Sequence, residues 1–155
     1  MKYWLMKSEP DDFSIDDLRR CSGQKSAWQG IRNYQARNFL RDQVSVNDLV
    51  LFYHSSCKEP AIVGLVQVSH SSQPDLSAFN SSSPYFDPKS DPLKPRWVEV
   101  EISFIEKFIN QVSLKQLKAD MKLADMVLVA KGARLSVQPV KESEFEYILS
   151  LCSRT

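Results

Sequence analysis

Four short stretches of this chain gather residue types that suit a flat, polar ligand. The richest is Trp28-Gln-Gly-Ile-Arg-Asn-Tyr-Gln-Ala-Arg-Asn38, with two aromatics, two arginines and two asparagines around one glycine. An amide offers donor and acceptor together, which matches a base edge. An aromatic face stacks a base, worth about 1–3 kcal/mol by alanine substitution. A guanidinium takes a phosphate bidentately. The same residues admit a plainer account, in which Asn33 caps a helix, Trp28 is core, and Arg37 and Arg41 are solvated.

Lys7-Ser8-Glu9-Pro10 follows the first apolar run, where small hydroxyl and charged groups suit a pocket mouth; a solvated turn set by Pro10 accounts for them equally. Tyr53-His54-Ser55 ends another apolar run and carries the same two readings. In Arg134-Leu-Ser-Val-Gln138 the polar and apolar residues alternate. Arg134, Ser136 and Gln138 then share one side of a strand, lining a cavity or facing water.

Catalytic signatures are missing. The chain has two histidines, His54 and His70, and four glycines. No zincin helix, nucleophile elbow, Walker loop or dinucleotide-binding glycine run occurs. His54 and Cys57 are close in sequence, but loop neighbours seldom point correctly for a nucleophile and its base. Cys21, Cys57 and Cys152 form no CxxC pair, so neither a disulfide framework nor a zinc site is expected. No cofactor or metal is expected, and the thiols fit a reducing compartment.

The length of 155 residues suits one domain spanning 1–155, and 43% hydrophobic with 25% charged residues suits a globular protein. A net charge of +1 argues against holding long duplex DNA by bulk electrostatics, since neutralising many phosphates needs a basic surplus. It leaves room for a pocket that reads one nucleotide. The N-terminus lacks the h-region of a signal peptide, and no apolar run is long enough to span a membrane. The chain reads as intracellular.

The elements that must position these groups are legible in outline. Lys2–Lys7 reads as a strand. Ser14 and Asp17 make a capping box for a helix over Ile15–Arg20. Tyr34–Arg41 reads as a helix, and Leu49–His54 and Ala61–Ser69 as a β-hairpin. Residues 71–95 hold five of the eight prolines. They read as an ordered loop anchored by Tyr85 and Phe86. In Trp97–Phe104, Val98, Val100, Ile102 and Phe104 share one face, and Glu99, Glu101 and Ser103 the other. Ser113 caps a helix through Ala119, Met126–Ala130 and Leu135–Pro139 read as extended, and Lys141–Cys152 closes as an amphipathic helix. One mixed α/β domain follows.

Taken in order, K-S-E-P, W-x-G-I-R-N-Y-Q-A-R-N-F-L-R, L-F-Y-H-S, G-L-V-Q-V, Y-F-D-P-K, R-W and R-L-S-V-Q-P resemble the EVE-domain family, the thymocyte nuclear protein group included. The resemblance runs from Tyr3 to Leu151. It implies a PUA-like fold, a curved mixed β-sheet or pseudo-barrel flanked by helices. It also implies a non-catalytic module that binds nucleic acid through a pocket for a modified base, modified cytosine in DNA above all.

Carried onto this chain, the base pocket is Ser8, Trp28, Asn33, Tyr53, His54, Ser55, Ser136 and Gln138. The phosphate-binding rim is Lys7, Arg32, Arg37 and Arg134. Trp28 stacks on or cages the base, Asn33 and Ser8 bond its edge, and His54 and Gln138 frame the pocket. A second cage aromatic comes from Tyr34, Phe52, Tyr53 or Tyr85. The compartment is then cytoplasm in a bacterium and nucleus in a eukaryote. Two other classes stay in view: an RNA- or nucleotide-modifying enzyme, with Glu9 or His54 as base, and a small-molecule-binding module.

Overall fold

Helix starts are written locally. Ser14 accepts the Asp17 N–H while Asp17 accepts the Ser14 N–H, so α1 (Ile15–Arg20) begins at the expected capping box. Asn33 caps α2 (Tyr34–Asp42), and Ser113 with Gln116 caps α3 (Leu114–Ala119). A fourth helix, α4 (Glu142–Leu151), follows the last strand. The computed structural model describes residues 1–130 and 134–152. Among these no helix is long and apolar enough to cross a membrane.

Six strands form one mixed sheet: β1 (Tyr3–Ser8), β2 (Lys25–Trp28), β3 (Leu49–His54), β4 (Ala61–Pro74), β5 (Val98–Ser113) and β6 (Val137–Val140). Their order is β2-β5-β4-β3-β1-β6. β1 runs parallel to β3 and antiparallel to β6, and the remaining pairs are antiparallel. Register shifts along β4 and β5 mark bulges, the device that bends and twists a strand pair. The architecture is the mixed α/β, PUA-like fold that the sequence resemblance implied.

Both sheet faces are buried, so β1 and β3 read as continuous apolar runs rather than alternating ones. On one face Trp4, Met6, Val50 and Phe52 pack with Ile15 and Leu18 of α1 and Ala36 and Leu40 of α2. On the other, Leu5, Leu51 and Tyr53 pack with Leu117 of α3 and Phe145 and Ile148 of α4.

Several elements differ from expectation. β2 has no alternating pattern, because as an edge strand it buries only Trp28. β4 runs on to Pro74, where its final residue pairs with Val98; proline is tolerated there because the ladder is ending. β5 continues beyond Phe104 to Ser113. Met126–Ala130 is not extended but turns through a 3-10 helix at Val127–Val129. Glu99, expected on a solvated face, is buried and accepts hydrogen bonds from the Leu76 N–H and the Gln29 amide. Tyr85 and Phe86 do not anchor the proline-rich segment through buried side chains, since both are exposed. Asp87 holds it instead, taking the Trp97 indole N–H at 2.7 Å while its own N–H donates to the Ala78 carbonyl.

Candidate nucleic-acid interface

Strand polarity builds the site. Because β1 and β3 are parallel, their C-terminal ends lie together, and the Ser55 N–H donates to the Ser8 carbonyl at 3.0 Å. β6 is antiparallel to β1, so its start reaches the same end, where the Lys7 N–H donates to the Ser136 carbonyl at 2.9 Å. Three strand termini thus bring Ser8, Ser55 and Ser136 to one place. They line a cleft of about 720 Å³, closed on the other side by Trp28 at the end of β2, Gly30 and Tyr85. A volume of this order suits a single small ligand.

Several polar groups of this lining are unspent, an indole N–H and two serine hydroxyls among them. The protein has three tryptophans. Trp4 donates its indole N–H to Asp48 and Trp97 donates to Asp87. The Trp28 N–H has no hydrogen-bond partner among the described residues, and neither has the hydroxyl of Ser55 or Ser136. The Ser8 hydroxyl donates to the Phe13 carbonyl at 2.6 Å, which leaves its oxygen as an acceptor. Trp28 is also core. It is only 6% exposed and stands edge-on to Phe52, with ring centres 5.5 Å apart. It therefore offers the cleft a strip of indole rather than a full stacking face. Tyr85, 37% exposed, is the open aromatic across the cleft.

The rim carries both charges, Lys7 and Arg134 against Glu9 and Asp12. Burial holds the Lys7 ammonium below its ordinary pKa. Beside it, burial and then Cys57 push the Tyr53 phenol up to about 12, so Tyr53 stays neutral.

The expected residues therefore divide. Lys7, Ser8, Trp28, Ser55, Arg134 and Ser136 line one cleft. Asn33 lies outside it, with its side-chain oxygen on the Ala36 N–H as the cap of α2. Tyr53 points into the second core. Gln138 is fully buried, its amide donating to the Leu135 carbonyl. Arg32 donates to Asp75, Ser77 and the carbonyls of Ile31 and Tyr85, so its guanidinium is committed internally. Arg37 reaches the Arg96 carbonyl instead.

His54 is spoken for as well. Its Nε2 accepts the Ile15 N–H at 3.1 Å, which assigns the ring proton to Nδ1 and removes His54 as a ready base. The Cys57 thiol faces the His54 carbonyl, not the ring. Burial lowers the His54 pKa, with Asp16 and Asp17 opposing and Lys107 adding. A histidine with a depressed folded pKa contributes its stability above the ordinary value and loses it as pH falls through the folded one. Unfolding titrations between about pH 7 and pH 5 should show stability falling with pH, with a shallower fall in His54→Ala.

Asp75 and Ser77 were outside the expected set, and they back the far wall behind Tyr85, which was one of the four candidates for a second cage aromatic. Asp75 is completely buried at the cap of the 3-10 turn Leu76–Phe79. It accepts from the Gly30 N–H at 2.9 Å and Arg32 at 3.0 Å, and from the Ser77 N–H and hydroxyl. Burial alone would push this carboxyl up. The bonds from Ser77, Gly30 and Arg32 together outweigh burial and bring it below the usual carboxylate range. The one sequence signal was Pro-Asp-x-Ser, a capping pattern that a solvated turn shows equally.

Gly30 has φ +84°, and an added Cβ would sit 2.7 Å from the Tyr85 ring. Gly30→Ala should therefore push Tyr85 off the wall and cost roughly 1–2 kcal/mol for the left-handed backbone alone. Thermal denaturation, with Tyr85→Ala as the background that relieves the clash, separates the two contributions.

A PUA-like sheet with a polar and aromatic cleft at its strand ends defines the class. The EVE domain family model matches residues 2–151, and the chain belongs to that family. Mouse thymocyte nuclear protein 1 is 41% identical over 96% of this chain and 73% of its own length. A crystal structure of a Pseudomonas syringae protein superposes with a TM-score of 0.91 at 47% identity, covering 96% of this chain and 98% of that one. Human THYN1, solved in complex with 5-methylcytosine-containing DNA, superposes with a TM-score of 0.92 at 38% identity, covering 97% of each chain.

Proposed function

We propose that this protein is a non-catalytic reader of a modified base in DNA, and that the cleft takes one modified cytosine turned out of its stack. The observation that carries this reading is the unspent set on the cleft wall: the Trp28 N–H and the Ser55 and Ser136 hydroxyls. A cytosine edge carries both acceptors and an amino donor, so its acceptors suit the Trp28 N–H and the serine hydroxyls, and the hydroxyl oxygens can also accept from its amino group. The amino group suits Glu9 or Asp12 on the rim, as carboxylates accept from cytosine N4. Tyr85 offers a face for stacking. The relative solved with 5-methylcytosine-containing DNA supports the same occupant.

Extrusion of a base costs a few kcal/mol, and least from single strands. Lys7 and Arg134 at the mouth suit the flanking phosphates. In a eukaryotic cell this function puts the protein with nuclear DNA, and in a bacterium with the cytoplasmic chromosome.

The test is binding to short single- and double-stranded oligonucleotides at one stated salt concentration. They carry plain, methylated or hydroxymethylated cytosine, or N6-methyladenine. Preference for one modified cytosine is expected. Equal affinity for all of them overturns the reading. Tight binding of free nucleotides without any response to DNA would favour a small-molecule module, which the mixed-charge rim also suits.

A further inference from the structure

A stack of arginines and rings leads away from the cleft. It starts at Tyr85, which lines the cleft and whose carbonyl is held by Arg32 at 2.6 Å. The Arg32 guanidinium stands 5.4 Å from the centre of the Trp97 ring. Tyr34 stacks on Trp97 at 4.9 Å with 25° between the planes, and the Arg37 guanidinium lies 4.9 Å from Tyr34. Arg37 also donates to the Arg96 carbonyl at 2.7 Å, and an Arg96 nitrogen lies 3.5 Å from the Tyr34 hydroxyl.

The two ends of this stack differ. At the cleft end, the Arg32 nitrogens are spent on Asp75 and on backbone carbonyls. At the outer end, Tyr34 is 52% exposed and the Arg96 side chain is 37% exposed. Arg37 spends Nε on Asn38 and Nη1 on the Arg96 carbonyl, which leaves its Nη2 to offer, and Arg96 gives only Nη2 to a carbonyl, that of Lys89. The facing carboxylate, Asp87, is 3.8 Å from Arg96 and already takes the Trp97 N–H. Arg37, stacked on Tyr34, and Arg96, held by the Tyr34 hydroxyl and the Lys89 carbonyl, lose less freedom when they bind a phosphate than mobile surface lysines do. The cations therefore stand preformed, beside a pocket sized for one base.

We propose that Tyr34, Arg37 and Arg96 form a phosphate-gripping ridge that holds the sugar–phosphate backbone of the DNA strand running past the cleft. The choice of DNA as occupant rests on the base-reading function, but the ridge acts on the backbone and carries no sequence information. Contacts of this kind weaken with salt, because each neutralised phosphate releases counterions.

The decisive comparison is the wild type against an Arg37→Gln/Arg96→Gln double variant, titrated with an unmodified single-stranded oligonucleotide between about 50 and 200 mM salt. If two phosphate contacts are lost, the slope of log K against log salt should fall by about 1.4. The ratio of affinities for modified and plain cytosine should stay unchanged, as should binding of the free modified nucleoside. An Arg37→Lys/Arg96→Lys protein should keep most of the slope. Should the glutamine pair not fold, Arg96→Gln alone carries the test with a fall of about 0.7. A slope equal to the wild type's in the folded variant overturns the ridge, as does a wild type with no salt-sensitive affinity for plain DNA. Loss of modified-base preference in the wild type overturns the base-reading function instead, so the two failures are distinguishable.

Discussion

Trp28→Ala should abolish discrimination between modified and plain cytosine while also costing about 3–5 kcal/mol of fold stability. The two effects share a cause. The indole is a cleft wall on one side and an edge-on partner of Phe52 on the other, at 6% exposure. Truncation leaves a cavity in the first core and removes the unspent N–H together. Trp28→Phe separates them. It fills most of the volume, so stability should fall far less, but it has no N–H to give. Paired titrations of modified and plain oligonucleotides, beside urea unfolding of the same proteins, measure both. Discrimination surviving in Trp28→Phe would assign Trp28 to shape alone, and discrimination surviving in a folded Trp28→Ala would remove Trp28 from recognition.

Asp75→Ala should destabilise the protein by about 3–5 kcal/mol, the range for removing one partner of a buried ion pair. Asp75 is fully buried and Arg32 only partly exposed. Removal leaves the Gly30 N–H, the Ser77 groups and a guanidinium without their acceptor. It should also loosen the wall, because Arg32 holds Tyr85 by its carbonyl. Binding of the modified oligonucleotide should weaken even where the variant is folded.

The pH dependence has a definite sign. The folded carboxyl has a depressed pKa, so its contribution is complete above the ordinary carboxylate value and is lost as pH falls through the folded one. In Asp75→Asn that share of the acid sensitivity should vanish, leaving a protein less stable at neutral pH and less dependent on pH below it. Unfolding curves taken along an acid series check this. An unchanged acid slope would show that Asp75 does not govern it.

Local rules reached far into this molecule. The Ser14 and Ser113 caps, the Asn33 cap and the apolar runs of β1 and β3 depend on neighbours within a few residues, and each formed where the pattern put it. The order of motifs along the chain also led to the family. What one strand's pattern could not hold was which polar groups meet. Ser8, Ser55 and Ser136 are far apart in sequence, and the parallel pairing of β1 with β3 and antiparallel pairing with β6 put them together. That same packing spent His54, Asn33 and Arg32 on helix starts and on Asp75, although their residue types suited ligand binding equally well. Asp75 itself looked like one more polar residue in a proline-rich loop. Hydrogen-bond satisfaction is a property of the assembled neighbourhood. Residue types and spacing determined which groups were able to recognise a base, and only the tertiary structure decided which of them were left with bonds to offer.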